Sequence, residues 1–275
     1  MEVVLGGITS LLYGAADFLG GEGAKRAPAP SIVLWAGALS FPLILALALI
    51  VGGEATLGDY LLGGLAGACG GVGLVALFAG LGRGRAAAVA PTAAAVAAVL
   101  PLTVALIDGE RPSLLAWIGL VVAVPAIVLC SGAGAAGGDR SSLFYGVLSG
   151  LGFGGFTAVI KFTGEESELL PLIASRASTM LVVAAISAFG VWRLVSFRDV
   201  PRSIVAGNAL LDVSGNVVLL LAVRVGSLAL ASVAASFYPA VTVMMARLVN
   251  SEHLLRRQVV GLGLTLLAMI AIALG

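Results

Sequence analysis

The sequence predicts an all-α integral membrane protein of about ten transmembrane helices, arranged as two inverted five-helix repeats around a central cavity. Three observations carry that expectation. Apolar residues make up 60% of the chain and charged ones 11%, with mean hydropathy +1.13, whereas soluble domains carry about 25% charged residues. The apolar residues fall into runs of about 20, the length a helix needs to cross the hydrocarbon core of a bilayer. The two halves of the 275-residue chain also match each other in spacing.

In order, the spacing predicts spans over Glu2–Gly20, Ser31–Val51, Gly58–Leu81, Ala86–Ile107, Ser113–Gly132, Leu143–Phe162, Leu169–Trp192, Pro201–Val223, Ser227–Val249 and Leu254–Leu274. Lys25, Arg26, Pro28 and Pro30 punctuate the first loop, Gly52, Gly53, Glu54 and Asp59 the second, and Asp108, Glu110, Arg111 and Pro112 the fourth. The first run lacks a basic residue ahead of it and is interrupted by Asp17, so it reads as a span rather than a signal peptide. Membrane-spanning strands would alternate over about 10 residues, half the length of these runs. A glycine-rich stretch at residues 133–142 reads as a linker between repeats 1–132 and 143–275.

The repeats align in two registers. A shift of 140 superposes Gly6 on Gly146, Thr9 on Ser149, Tyr13 on Phe153 and Gly14 on Gly154. A shift of 142 superposes Gly84 on Gly226, Glu110 on Glu252 and Gly119 on Gly261, so a two-residue insertion separates the registers. With an odd number of spans per half, the second copy enters the membrane from the opposite side, which is a transporter architecture with its site near the midplane. Small-residue ridges, Gly6–Ser10–Gly14, Gly63–Gly67–Gly71 and Gly146–Gly150–Gly154, predict close helix packing. Pro91, Pro101 and Pro239 fall within predicted spans and permit bends there.

Composition also excludes functions. A net charge of +1 offers no basic face for nucleic acid. Cys69 and Cys130 lie inside apolar runs, and the single histidine, His253, has no second ligand at metal-binding spacing, so neither metal nor cofactor is expected. No phosphate-binding G-x-x-x-x-G-K-[ST] loop occurs.

Ionisable residues inside apolar spans are expensive, and each is by default a functional candidate. The eighth run carries Asn208, Asp212 and Asn216 at i, i+4 and i+8, which a helix stacks on one face. Asp212 lies near the centre of that run, while its counterparts at the 142-residue shift, Ala66–Gly70–Leu74, are uncharged. Arg176 sits near the middle of the seventh run, either paired with Asp212 to hold helices together or free to bind a substrate carboxylate or phosphate. Asp17 either lines a site or pairs with Lys25 or Arg26, and Lys161 can snorkel to the surface. Tyr13 and Tyr238, with Phe153 and Phe237, are candidate walls or gates.

Four stretches resemble EamA-type members of the drug/metabolite transporter superfamily: Y-G-A-A-D-F-L-G-G (Tyr13–Gly21), V-A-P-T (Val89–Thr92), G-E-R-P-S (Gly109–Ser113) and S-F-Y-P-A-V-T-V (Ser236–Val243). The resemblance covers essentially the whole chain, one domain per half. It implies a ten-helix basket whose spans one to four and six to nine line a cavity, with five and ten peripheral. The activity it implies is secondary transport, as an exporter of a small polar or amphipathic metabolite by alternating access. Protons would couple through Asp212 or Asp17, or the carrier would be a uniporter. The alternatives are a non-transporting scaffold or subunit and an intramembrane lipid-modifying enzyme. The expected substrate-binding set is Tyr13, Asp17, Arg176, Asn208, Asp212, Asn216 and Tyr238. Expected partners are a small-molecule substrate and the lipid bilayer, with no nucleic acid, and the chain works as a monomer or homodimer in the inner membrane.

Loop charges assign an orientation. Lys25, Arg26, Arg83, Arg85, Arg140, Arg193, Arg198, Arg202, Arg247, Arg256 and Arg257 fall on one predicted side, and only Arg111, Lys161 and Arg224 on the other. Both termini are therefore expected outside the cytoplasm, although relatives in the resembled family look as though theirs face inward. Reporter fusions to either terminus should be active only with a reporter that works outside the cytoplasm; activity confined to a cytoplasmic reporter would reverse the orientation.

Overall fold

A computed structural model describes residues 1–107, 113–131, 140–191, 193–225, 237–251 and 255–274. The described residues are helical with no strand, and the helices are α1 (Glu2–Ala24), α2 (Ala29–Val51), α3 (Leu57–Leu81), α4 (Ala86–Ile107), α5 (Leu114–Ser131), α6 (Arg140–Ile160), α7 (Leu170–Ala188), α8 (Arg202–Val225), α9 (Tyr238–Asn250) and α10 (Arg256–Leu274). Five stretches, Val4–Ala24, Ala29–Val51, Leu57–Leu81, Arg140–Ile160 and Leu170–Ala188, are long and apolar enough to cross a membrane. The G-E-R-P turn at 109–112, Gly132 at the end of the expected fifth span, residues 133–139 of the expected linker, residues 227–236 of the expected ninth span, and Glu252 and His253 lie outside the described residues.

Local chemistry sets several helix ends. Pro28 and Pro30 open α2, where their fixed φ is already helical, and Gly52 closes it at φ 76°. Thr56 and Asp59 form a reciprocal capping box at the start of α3, with the Asp59 carboxylate accepting the Thr56 N–H at 2.8 Å. Some ends differ from the sequence reading. The first helix continues four residues past Gly20, because Gly20, Gly21 and Gly23 let α1 close onto Phe78, Leu81 and Ile32 where a Cβ would collide. Arg140, Ser141 and Ser142, read as linker, begin α6. The seventh helix stops at Ala188, with Gly190 at φ 75°, short of the expected Trp192. Pro239 occupies the first turn of α9, where proline is tolerated because its missing N–H has no helical partner; the part of the expected span before Phe237 lies outside the described residues.

The interior is built from small residues and the exterior from large ones. Ala66, Ala79, Ala90, Ala93, Ala94 and Ala95 are buried, whereas Leu61, Val121, Leu181, Leu210 and Leu267 are all more than half exposed. That distribution suits an apolar surrounding, where nothing drives large side chains inward and close packing favours small ones. The Gly63–Gly67–Gly71 ridge shows the packing directly. A Cβ on Gly63 would collide with the backbone of Pro171, one on Gly67 with the backbone of Ser175, and one on Gly71 would press on Thr179. The two i, i+4, i+8 rows therefore interlock along α3 and α7, and the Thr179 hydroxyl donates to the Gly67 carbonyl at 2.7 Å. Gly146 and Gly150 lie in the same way against Thr92 and Val96 of α4.

Two layers flank a central space. The first helix packs along α8 and α9; α6 packs along α3 and α4; α7 packs along α3 and α2; and α5 pairs with α10. Loops tie each end. At one end, the Glu54 N–H donates to the Glu166 carbonyl at 2.8 Å, and the Gly164 N–H donates to Asp59 at 2.7 Å. At the other, the segment after α7 folds over the start of α2: the Trp35 indole N–H donates to the Val195 carbonyl at 3.0 Å, the Val195 N–H to Ser31 Oγ at 3.0 Å, and Phe197 stacks near Trp35. Asn250 meets Glu22 at this second end, at 2.6 Å.

Overpacking a well-fitted interior costs about 1–3 kcal/mol. Gly67→Ala should therefore lower the melting temperature of the purified protein in detergent by that equivalent. Gly7→Ala, where an added Cβ meets nothing within 4 Å, should leave it unchanged.

Candidate functional site

The central space is a cavity of about 270 Å³, reached by residues of α1, α2, α3, α6, α7, α8 and α9. All seven sequence-selected site residues, Tyr13, Asp17, Arg176, Asn208, Asp212, Asn216 and Tyr238, line it. The fifth and tenth helices pair outside it, and α4, expected to contribute, supplies no lining residue among those described because it stands behind α6.

Each member of the α8 row has a different partner. The Asn208 amide donates to the Ala16 carbonyl of α1 at 2.7 Å and is 5% exposed, so it ties α8 to α1 at the cavity wall. Asp212 forms an ion pair with Arg176 of α7. The Asn216 amide donates to its own helix at the Asp212 carbonyl, 2.7 Å away, while its oxygen accepts the Tyr13 hydroxyl at 3.1 Å. The Tyr13 ring lies flat enough on α8 that a Cβ on Gly215 would strike it. A helix presents i, i+4 and i+8 on one stripe, and that stripe faces α1, α7 and the cavity together.

The ion pair is unusual in its setting. The seventh and eighth helices do not pack along each other; the pair spans the cavity between them. Its side chains keep 19% and 28% exposure, for Arg176 and Asp212 respectively, and that exposure is to the cavity they line. Ser175 and Thr179, flanking Arg176 in sequence, lie at the cavity wall where α7 packs on the glycine ridge of α3. The interlock thus fixes the rotation of α7 and aims Arg176 inward.

Asp17 does not pair with Lys25, whose ammonium contacts Glu22 at 2.6 Å. It faces the cavity with no hydrogen bond or ion pair among the described residues, within electrostatic reach of Asp212 and of Tyr13 and Tyr238. Tyr238 lies at the N-terminus of α9, and its hydroxyl has no described hydrogen-bond partner. Phe153 lines the wall, but Phe237 is 37% exposed and points elsewhere. Lys161 is exposed beyond the end of α6.

Sequence reasoning missed much of the wall: Phe78, Phe156, Leu74, Ser40, Ser175 and Thr179. The signal available was periodicity, since Val33, Ala36, Gly37, Ser40 and Ile44 follow the helical repeat along one face of α2. No family model matches the chain, and no curated protein matches it.

Removing one member of a buried ion pair strands the other, at a cost of about 3–5 kcal/mol when fully buried. The partial exposure here lowers that expectation to about 1–3 kcal/mol. Arg176→Gln should therefore destabilise the purified protein, and the double variant Arg176→Gln/Asp212→Asn should recover most of the loss. Thermal unfolding of the four-member cycle measures this; additive losses would mean the two side chains do not interact.

Proposed function

We propose that the chain is a secondary transporter, an exporter of a small polar or amphipathic metabolite that works by alternating access. The observation that carries this reading is the cavity itself: it draws walls from both halves of the chain and holds an ion pair between two helices that are not packed lengthwise. A purely structural pair is more economically placed where helices touch. The reading extends to the ten-helix, two-repeat architecture of EamA-type drug/metabolite transporters. In its support, positions related by the shifts of 140 and 142 line the same cavity: Tyr13 with Phe153, Ala16 with Phe156, Ala36 with Arg176, Gly70 with Asp212 and Leu74 with Asn216. The helix contacts follow the same exchange, since α1 on α8 corresponds to α6 on α3, and α2 on α7 and α5 on α10 correspond to themselves. Substrate sites of inverted-repeat carriers lie at the repeat interface.

Within this reading, Tyr13, Asp17, Arg176, Asp212, Asn216 and Tyr238 face the solute, and Asn208 holds α8 against α1. Proton coupling, where it operates, runs through Asp17, because Asp212 is engaged by Arg176. The inner membrane is the proposed location, with both termini outside the cytoplasm. The engagement of the whole α8 row in hydrogen bonds and an ion pair favours a second reading, a non-transporting scaffold in which the row sets helix register.

Solute flux separates the two. A thermal-shift screen of the purified protein over amino acids, amines, sugars, nucleosides and phosphates should find a stabilising solute, since a ligand that binds only the native state raises apparent stability. That solute should then exchange in proteoliposome counterflow. Leu74→Trp, filling the cavity, should abolish exchange, and Leu210→Trp, on the 58% exposed outer face, should not. A stabilising solute that never crosses the bilayer would favour the scaffold.

A further inference from the structure

We infer that the cavity selects an amphipathic monocation, a compact organic amine carrying one positive charge and one apolar ring or short chain. This rests on the cavity being a solute site, as proposed above. The argument begins with charge. Among the described residues, three ionisable acidic or basic side chains line the cavity: Asp17, Asp212 and Arg176. Arg176 and Asp212 neutralise each other, which leaves Asp17 without a counter-charge among the described residues. The nearby cation in sequence, Lys25, is taken by Glu22. Asp17 is therefore a buried carboxyl group with no described cation beside it, in a setting where charges interact more strongly than in bulk solvent.

A solute that brings one positive charge balances the cavity. An anion, whether carboxylate or phosphate, supplies no partner for the Asp17 carboxylate and repels it when ionised. A zwitterion gains at Asp17 with its ammonium but needs a partner for its carboxylate, and the guanidinium that would serve is already on Asp212.

The walls add an independent argument. Five aromatic rings, Tyr13, Phe78, Phe153, Phe156 and Tyr238, line the same space. Their faces carry negative quadrupole potential and attract a desolvated cation, and they give an apolar body its contact area. Tyr13 and Tyr238 both lie within electrostatic reach of Asp17, so ammonium and rings are served at one place. The size follows from the volume: about 270 Å³ falls just below the span of drug-sized pockets, roughly 300–1,000 Å³, and suits a single ring with a short tail.

A matched ligand series tests this directly. 2-Phenylethylamine, phenylalanine, phenylacetate and 2-phenylethanol share one ring and differ in charge. In thermal-shift titrations of the purified wild-type protein, the amine should bind at least tenfold more tightly than any of the other three. Asp17→Asn should weaken amine binding at least tenfold, and Asp17→Glu should retain most of it. Should both variants fail to fold, the wild-type ranking alone decides. Equal or tighter binding of phenylalanine or phenylacetate, no binding of the amine, or full amine affinity in a folded Asp17→Asn protein would each overturn the inference. Counterflow keeps the two readings apart. Amine binding at Asp17 without flux sinks the transporter and spares the cation site, whereas flux of an anionic solute without amine binding does the reverse.

Discussion

A helix surrounded by hydrocarbon has no water with which to hydrogen-bond a polar side chain, so such a group is costly on the outer face and is placed toward the protein interior. The arrangement of this chain follows from that constraint. Its outer faces carry exposed Leu and Val, and its interior is filled by Ala and Gly at close-packed contacts. The polar residues of α8 turn inward, onto the Ala16 carbonyl, Arg176 and Tyr13. Adding a side chain at Gly63 or Gly67 would push α3 and α7 apart. Removing the polar partners would leave the α8 stripe unsatisfied.

The three members of that stripe share one helix face but not one task. Asn208 is nearly buried and fastens two helices. Asn216 orients an aromatic ring over a glycine. Asp212 pairs with a charge on α7, a helix against which its own helix is not packed lengthwise. The division is set by depth and by neighbours, since the residue types alone would have permitted all three to behave alike. Asp17 completes the picture from α1: it is the one carboxylate of the cavity with no described partner.

Much of this was legible in the sequence, for reasons that also explain the rest. A charge or amide inside an apolar run stands out, and so Asp17, Arg176 and the α8 stripe could be chosen by residue type and helical spacing. Phe78, Phe156 and Thr179 offered no such contrast, because phenylalanine and threonine are ordinary residues of apolar helices. That Lys25 does not pair with Asp17 could not be read at all, since only the fold shows that Glu22 holds it. Helix ends were read well where capping chemistry is local, as at Thr56 and Asp59. They were misread where tertiary packing decides, as in the continuation of α1 through Gly20 and Gly21. The apolar Phe189–Val191 stretch extends the seventh run in composition, yet Gly190 ends it in conformation.

The interlock of Gly63, Gly67 and Gly71 with Pro171, Ser175 and Thr179 carries a mechanical consequence. Two rows that mesh at every helical turn cannot slide smoothly; they can only stay in register or jump by about one turn, 5.4 Å. The third and seventh helices are therefore locked to each other, although they come from opposite halves of the chain. The first, eighth and ninth helices form the facing group by their own contacts. The meshed pair thus joins the two sequence halves, and the Arg176–Asp212 ion pair links it to α8.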